Sequence, residues 1–477
     1  MMQQGGRLRA WILPAIIVGL LAGLMPFFAT TNPILGLIVV TGLVGLTVLL
    51  LGWPFSGVAI LIIAALFTRY RFDVGPVSVR FEHIAVLAVA GIAVVQQAVH
   101  RGRIRFPLAA WFALFWWLMN LISAIFFSSY PPSTVQNAAR LALVVLTFVL
   151  VINLIPNRQQ WWWAIGLFVI AGVAEAAFGI VARVLFPFGI NLGVQVSWNF
   201  SEPIPYGTFE EGNLFGSHIA SWALMLSMLI LASDLWRPTR QQFWRLLGLA
   251  ILLLGLFLSL SRAAWLMFAA GAVLLLIFYR RNSWHQVNWG LFLILVAPFT
   301  ILFLLSIAPF LPSSWPFVDR LQSFLYLSTD ETFSARLTDW SLAWHDWLQQ
   351  PLTGWGPGSF ADIHGELRSH PAWISNLSLR LLQETGIIGV LTFAGYLVTL
   401  LFPAIKVARL QSNSLDRAAL LGLTIGYVVL LGVAYQSTDG IWLSASWVHA
   451  GLIAAGTIIL SPKKDINRTI SAETFPD

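Results

Sequence analysis

The stretch PLAAWFALFWWLMNLISAIFF, residues 107–127, carries no charged side chain. A helix that spans a bilayer needs about 20 predominantly apolar residues. A helix apolar on every face belongs in lipid or in the core of a large protein. The same pattern recurs on both sides of this stretch. It is found at 10–29, 33–51, 54–69, 82–99, 135–155, 160–186, 213–233, 243–260, 263–279, 289–311, 376–404, 417–436 and 441–461. The expected fold is all-α: a polytopic transmembrane helix bundle of about 12–14 helices, since only helices and closed barrels satisfy the backbone in lipid.

Composition points the same way. The chain is 58% hydrophobic and 10% charged, with a mean hydropathy of +0.80. Soluble domains carry roughly 25% charged residues. The net charge of +7 is spread along short loops and gathered on no single face, which argues against a nucleic-acid partner. The absence of cysteine excludes disulfides, thiolate metal sites and cysteine nucleophiles. Arg7 and Arg9 precede an apolar run from Trp11 to Phe28 that lacks a small-residue cleavage site, so it reads as an uncleaved first helix.

Lys and Arg set the orientation. With the N-terminus inside, 17 of them fall in inside segments, 7 in outside segments and 3 within predicted helices. This is a strong positive-inside bias, and it predicts both termini in the cytoplasm. The organisation expected is transmembrane helices over 1–311, an extracytoplasmic loop over 312–375, further transmembrane helices over 376–461 and a cytoplasmic tail over 462–477. Within the loop, Phe333, Leu337, Trp340, Trp344, Trp347 and Leu348 recur at helical spacing. They predict an amphipathic helix over about 333–349 lying at headgroup level. Pro351 stops it, and Gly354, Gly356 and Gly358 follow in an irregular turn.

Arginines on the outside run against the trend and call for a reason. Arg262 follows Ser259-Leu260-Ser261 at the outer edge of two apolar helices, and Arg336 sits near the start of the amphipathic helix. Guanidinium groups grip phosphate oxygens in a fork with permanent charge, so the pair suits a lipid-carried diphosphate. Snorkelling toward headgroups is the plainer account of either residue alone. Glu210 and Glu211 stand before the helix at 213–233, as a base or cation ligand, or simply as acids favoured by the helix dipole. Asn213 reads as a helix cap. His370, near His364 and His345, offers a neutral imidazole for accepting a proton. The spacing of these histidines fits no metal-ligand pattern, so no metal or other cofactor is expected. Arg380 and Glu384 form an i,i+4 pair inside a predicted span, and Glu175 with Arg183 is a weaker candidate of the same kind.

Four motifs together resemble the O-antigen ligase and polysaccharide polymerase (Wzy-like) membrane glycosyltransferases. They are Gly207-Thr208-Phe209 with Asn213, Ser259-Leu260-Ser261-Arg262-Ala263-Ala264-Trp265, Arg336 through Trp340 continuing to Pro351 through Phe360, and Asn376 through Gly389. The resemblance implies transfer of an undecaprenyl-diphosphate-linked glycan to an acceptor hydroxyl at the outer face of a bacterial cytoplasmic membrane, in surface polysaccharide synthesis. It implies a lipid-linked oligosaccharide donor, a glycan, lipid or protein acceptor, and Arg262 and Arg336 as diphosphate ligands. The family places a histidine immediately before the motif's asparagine. Here that position is Ser375, which leaves His370, Glu210 and Glu211 as alternative bases. The competing class is a transporter or flippase for lipid-linked sugars. That class calls for charges along a path through the bilayer, and no internal repeat supports it.

Overall fold

Each apolar stretch that falls on described residues folds as a helix. The computed structural model describes residues 55–74, 77–100, 104–196, 203–233, 240–279, 331–367 and 370–462, together with 318 and 322. The stretches expected at 10–29, 33–51 and 289–311 lie outside these residues, as do most of 312–330 and the tail from 463.

In chain order the helices are α1 (Phe55–Ala64), α2 (Phe81–His100), α3 (Leu108–Phe126), α4 (Pro131–Leu154), α5 (Arg158–Leu185), α6 (Gly212–Leu231), α7 (Arg240–Leu258) and α8 (Arg262–Tyr279). They continue with α9 (Glu331–Gln349), α10 (Ser359–His364), α11 (Leu377–Leu410), α12 (Ser414–Gly432) and α13 (Ser444–Leu460). Seven described helices are long and apolar enough to cross a membrane: α3 to α7, α11 and α12. The chain is a polytopic all-α membrane protein. Among the described residues, three two-stranded antiparallel hairpins, which the apolar pattern does not announce, decorate the connections. They are β1–β2 (Arg71–Val74 with Val77–Arg80), β3–β4 (Val194–Val196 with Pro203–Pro205) and β5–β6 (Glu366–Leu367 with His370–Pro371).

The bundle is built around α6, in which every residue but Asn213 is buried. A helix apolar on all sides needs protein on all sides, and α6 receives it from α12, α7, α8 and α5. Alongside, α11 packs on α3, and α13 on α4. Charge segregates between the two ends. At one end Arg105 donates to the Ile155 carbonyl (3.1 Å), Arg158 pairs with Asp416 (2.8 Å) and Arg417 donates to the Gln411 carbonyl (2.6 Å). All three lie in segments that the positive-inside count puts inside. The other end, here the loop end, holds the β1–β2 hairpin and the segment from α9 to β6.

The amphipathic helix forms over Glu331–Gln349. Ala343 and Asp346 face the protein, whereas Leu337, Trp344 and Leu348 stay exposed. That is the disposition expected of a helix resting its apolar face at an interface. Asn213 is not a cap. Glu211 occupies the cap position of α6 without a capping side-chain bond, and Asn213 is the second helical residue. The asparagine that does cap is Asn376, which accepts from the Leu379 N–H at 3.0 Å. Glu175 and Arg183 each hold a partner of their own. Glu175 takes the Thr208 N–H (2.7 Å) and lies 2.8 Å from the Thr208 hydroxyl, while Arg183 donates to the Pro203 carbonyl.

Candidate functional site

At the loop end the connections enclose a cavity of about 640 Å³. Its described wall comes from seven places in the chain: β1–β2, the start of α2, the first half of α4, the turn before α6, the loop into α10, the segment entering α11 and the turn before α13. Arg71, Arg80, Arg140 and Arg380 face it, as do Glu210, Glu211, Glu384 and Asp439.

Backbone chemistry fixes each of these groups. Helix α11 breaks at Gly386, whose φ of 61° and ψ of −166° belong to a region open essentially only to glycine. The break orphans the carbonyls of Gln383 and Glu384. The loop at 351–358 satisfies them: Trp355 N–H donates to Gln383 O (2.9 Å) and Gly356 N–H to Glu384 O (2.8 Å). In return Ile387 N–H donates to Pro351 O (2.9 Å). Ser123 of α3 adds its hydroxyl to the carbonyls of Gly354 and Glu384 (3.1 and 2.9 Å). A Cβ on Gly354 would run into the backbone of Glu384 and Thr385. The glycine-rich turn is thus a cap for a broken helix. It aims the Gly358 N–H at the Glu384 carboxylate (2.7 Å).

The expected Arg380–Glu384 pair is present at 2.8 Å. Arg380 also bonds Asp439, which lies in the turn between α12 and α13. Both acids and the arginine are buried. Glu210 is engaged by Arg71 (Nε at 3.1 Å) and by Arg80 (3.1 Å). Arg80 also lies 3.6 Å from the fully buried Glu82 and stacks over Trp442 at 3.9 Å. Glu211 has a different environment. Its carboxylate accepts the Thr438 hydroxyl at 2.7 Å. Seclusion from water pushes its pKa above the ordinary carboxylate range, with the Thr438 bond and the charge of Arg336 pulling the other way.

Among the expected site residues, Glu210 and Glu211 line the cavity, and Arg336 on α9 is close enough to Glu211 for their charges to interact. Arg262 opens α8 and is not among the described lining residues. It follows a strained turn, since Leu260 has a φ of 49° and is the only described non-glycine residue with positive φ. His370 lies in β6 opposite Leu367; its side chain lies outside the described residues. His364 pairs with Asp346 at 2.9 Å, joining α10 to α9.

Sequence reading passed over Arg71, Arg80, Arg140, Thr438, Asp439, Trp373 and Trp442. Arg71 and Arg80 carried the signal used for Arg262 and Arg336, an arginine on the side where arginine is scarce. Thr438 and Asp439 stood in an unremarkable turn between the last two spans.

The fold and the cavity together define an integral membrane protein with a charged, partly enclosed site at one end of its helix bundle. Residues 247–394 match the family model described as O-antigen ligase, over less than half of the chain. This segment is similar to the O-antigen ligases, an enzyme family of surface polysaccharide biosynthesis. No curated protein matches the chain. The matched segment supplies Arg262, Arg336, the glycine-rich turn and the Arg380–Glu384 pair. It also supplies Phe360, Ala361 and Ala372 to Ile374 of the cavity wall, whereas the wall residues of β1–β2, α2, α4 and the turns before α6 and α13 lie outside it.

Proposed function

We propose that the protein transfers a glycan from undecaprenyl diphosphate to an acceptor hydroxyl at the outer face of the bacterial cytoplasmic membrane, with both chain termini in the cytoplasm. The observation that carries this reading is the arginine- and carboxylate-lined cavity at the loop end, formed largely by segments that the positive-inside count puts outside. In the reaction the acceptor oxygen bonds to the anomeric carbon, the bond to the diphosphate oxygen breaks, and the acceptor proton goes to a base. Negative charge builds on the departing diphosphate. Arg336 and Arg262 hold that charge, and the guanidinium groups of the cavity wall add to its field. Arginine needs no metal to do this.

Glu211 is the base in this reading. Glu210 is ion-paired to two arginines, which occupy its carboxylate oxygen. Glu211 accepts one neutral hydroxyl, and its raised pKa makes it a stronger base than an ordinary carboxylate. His370 is the alternative base. A transporter or flippase calls for charge along a route through the bilayer. Here the charged lining groups gather at one end of the bundle.

Arg336→Ala should abolish glycan transfer in cells, by 100-fold or more for lost stabilisation of a developing anion, at normal protein level. Unchanged surface polysaccharide would count against the reading. Deleting the gene should cause lipid-linked glycan to accumulate. Single repeats would mark a polymerase and long chains a ligase; no accumulation would sink both.

A further inference from the structure

Two side chains of the cavity wall are left unused by the transfer chemistry. Trp373 and Trp442 meet with ring centroids 6.0 Å apart and planes at 87°, so they form a corner. Each ring has an arginine on a face: Arg80 lies 3.9 Å from the Trp442 centroid and Arg380 lies 4.8 Å from that of Trp373. Trp442 is further fixed by its Nε1–H, which donates to the Asp439 carbonyl at 3.1 Å. Trp373 is flanked in sequence by Ala372 and Ile374, both at 4% exposure or less, yet it remains 44% exposed itself. The chain therefore presents this indole outward, on a cavity wall, between two residues it buries.

We propose that the Trp373–Trp442 corner is the glycan subsite, where a pyranose ring of the donor or acceptor chain stacks on the open face of Trp373; this rests on the transfer reading above. A pyranose has a C–H face and a rim of hydroxyls. The electron-rich face of an indole receives the first. The carboxylates and guanidinium groups of the same cavity receive the second. An aromatic plate with a few convergent polar groups is how binding sites fix orientation as well as affinity. The cation on the other face and the Nε1–H bond of Trp442 hold the corner in place, so little ordering is needed when the sugar arrives. The competing occupant is a lipid headgroup, since tryptophans also collect at membrane interfaces.

The test presents the full chain, in lipid nanodiscs, with the repeat-unit oligosaccharide released from the host's own lipid-linked glycan. Saturation transfer to the sugar ring protons is measured by NMR. Trp373→Ala should weaken binding about 3- to 10-fold, the size of one aromatic contact. Trp373→Phe should retain most of it. Trp344→Ala, at another exposed indole, on α9, should leave it unchanged. Undiminished signal in Trp373→Ala overturns the proposal. So does an equal loss in Trp344→Ala, which would make both indoles bilayer anchors. A transfer assay with the lipid-diphosphate donor separates this idea from the one beneath it. Binding through Trp373 with no glycan leaving the lipid fails the transfer reading and keeps the subsite. Normal transfer by Trp373→Ala with unchanged KM for both substrates fails the subsite and keeps the transfer.

Discussion

Glu211 is held in the cavity by a hydroxyl, where its neighbour Glu210 is held by guanidinium groups, and the two carboxylates are thereby set apart. A base must be ionised to accept a proton, and Glu211 is ionised above its raised pKa. The transfer rate should therefore fall as pH drops through that value, above the ordinary carboxylate range. The Thr438 bond favours the ionised form. Thr438→Val removes it, so the acid limb of the rate profile should move to higher pH. A limb that stays put or moves down would take the base role from Glu211. None of this was legible in the sequence. Glu210 and Glu211 were visible as acids before a helix, but their difference depends on partners 130 and more residues away in Arg71 and Thr438.

The break in α11 is the element on which the cavity depends most. Gly386 adopts a conformation barred to other residues, and a Cβ there would meet the backbone of Leu352 and Thr353. Gly386→Ala should destabilise the protein by about 1–3 kcal/mol, read as a lower unfolding midpoint in detergent and faster proteolysis between Pro351 and Phe360. Gly91→Ala is the control, because nothing lies within 4 Å of a Cβ at that position in α2. It should be neutral or slightly stabilising. Equal loss in both variants would mean the break is not special. At this scale the sequence was informative about helices and silent about hairpins. Apolar runs announce spans because lipid leaves no other choice. The turn at Gly354–Gly358 was visible as an irregular one. Its purpose was hidden, since its partners are carbonyls 28 residues later.

Across the whole molecule, Arg380 joins parts that are distant in sequence. It ties α11 to the α12–α13 turn through Asp439, and to the glycine-rich turn through Glu384. Removing one member leaves buried charge unmatched. Asp439→Ala should cost on the order of 3 kcal/mol and lower transfer even where the protein still inserts. Full stability would show that the Asp439 contact contributes little. The i,i+4 half of this cluster was legible from spacing alone. The Asp439 half was not, because nothing local distinguishes an acid in a short turn from one that anchors a buried arginine. The matched family segment likewise stops short of Asp439, so the site is completed by the turn between α12 and α13 and by segments that precede the match.

The exchange of backbone bonds across the α11 break also bears on how such proteins diversify. The turn at 351–358 and the helix at 383–388 supply each other's hydrogen bonds, so neither can be replaced by a relative's version alone. They constitute one heritable module, transplantable between homologues only as a pair.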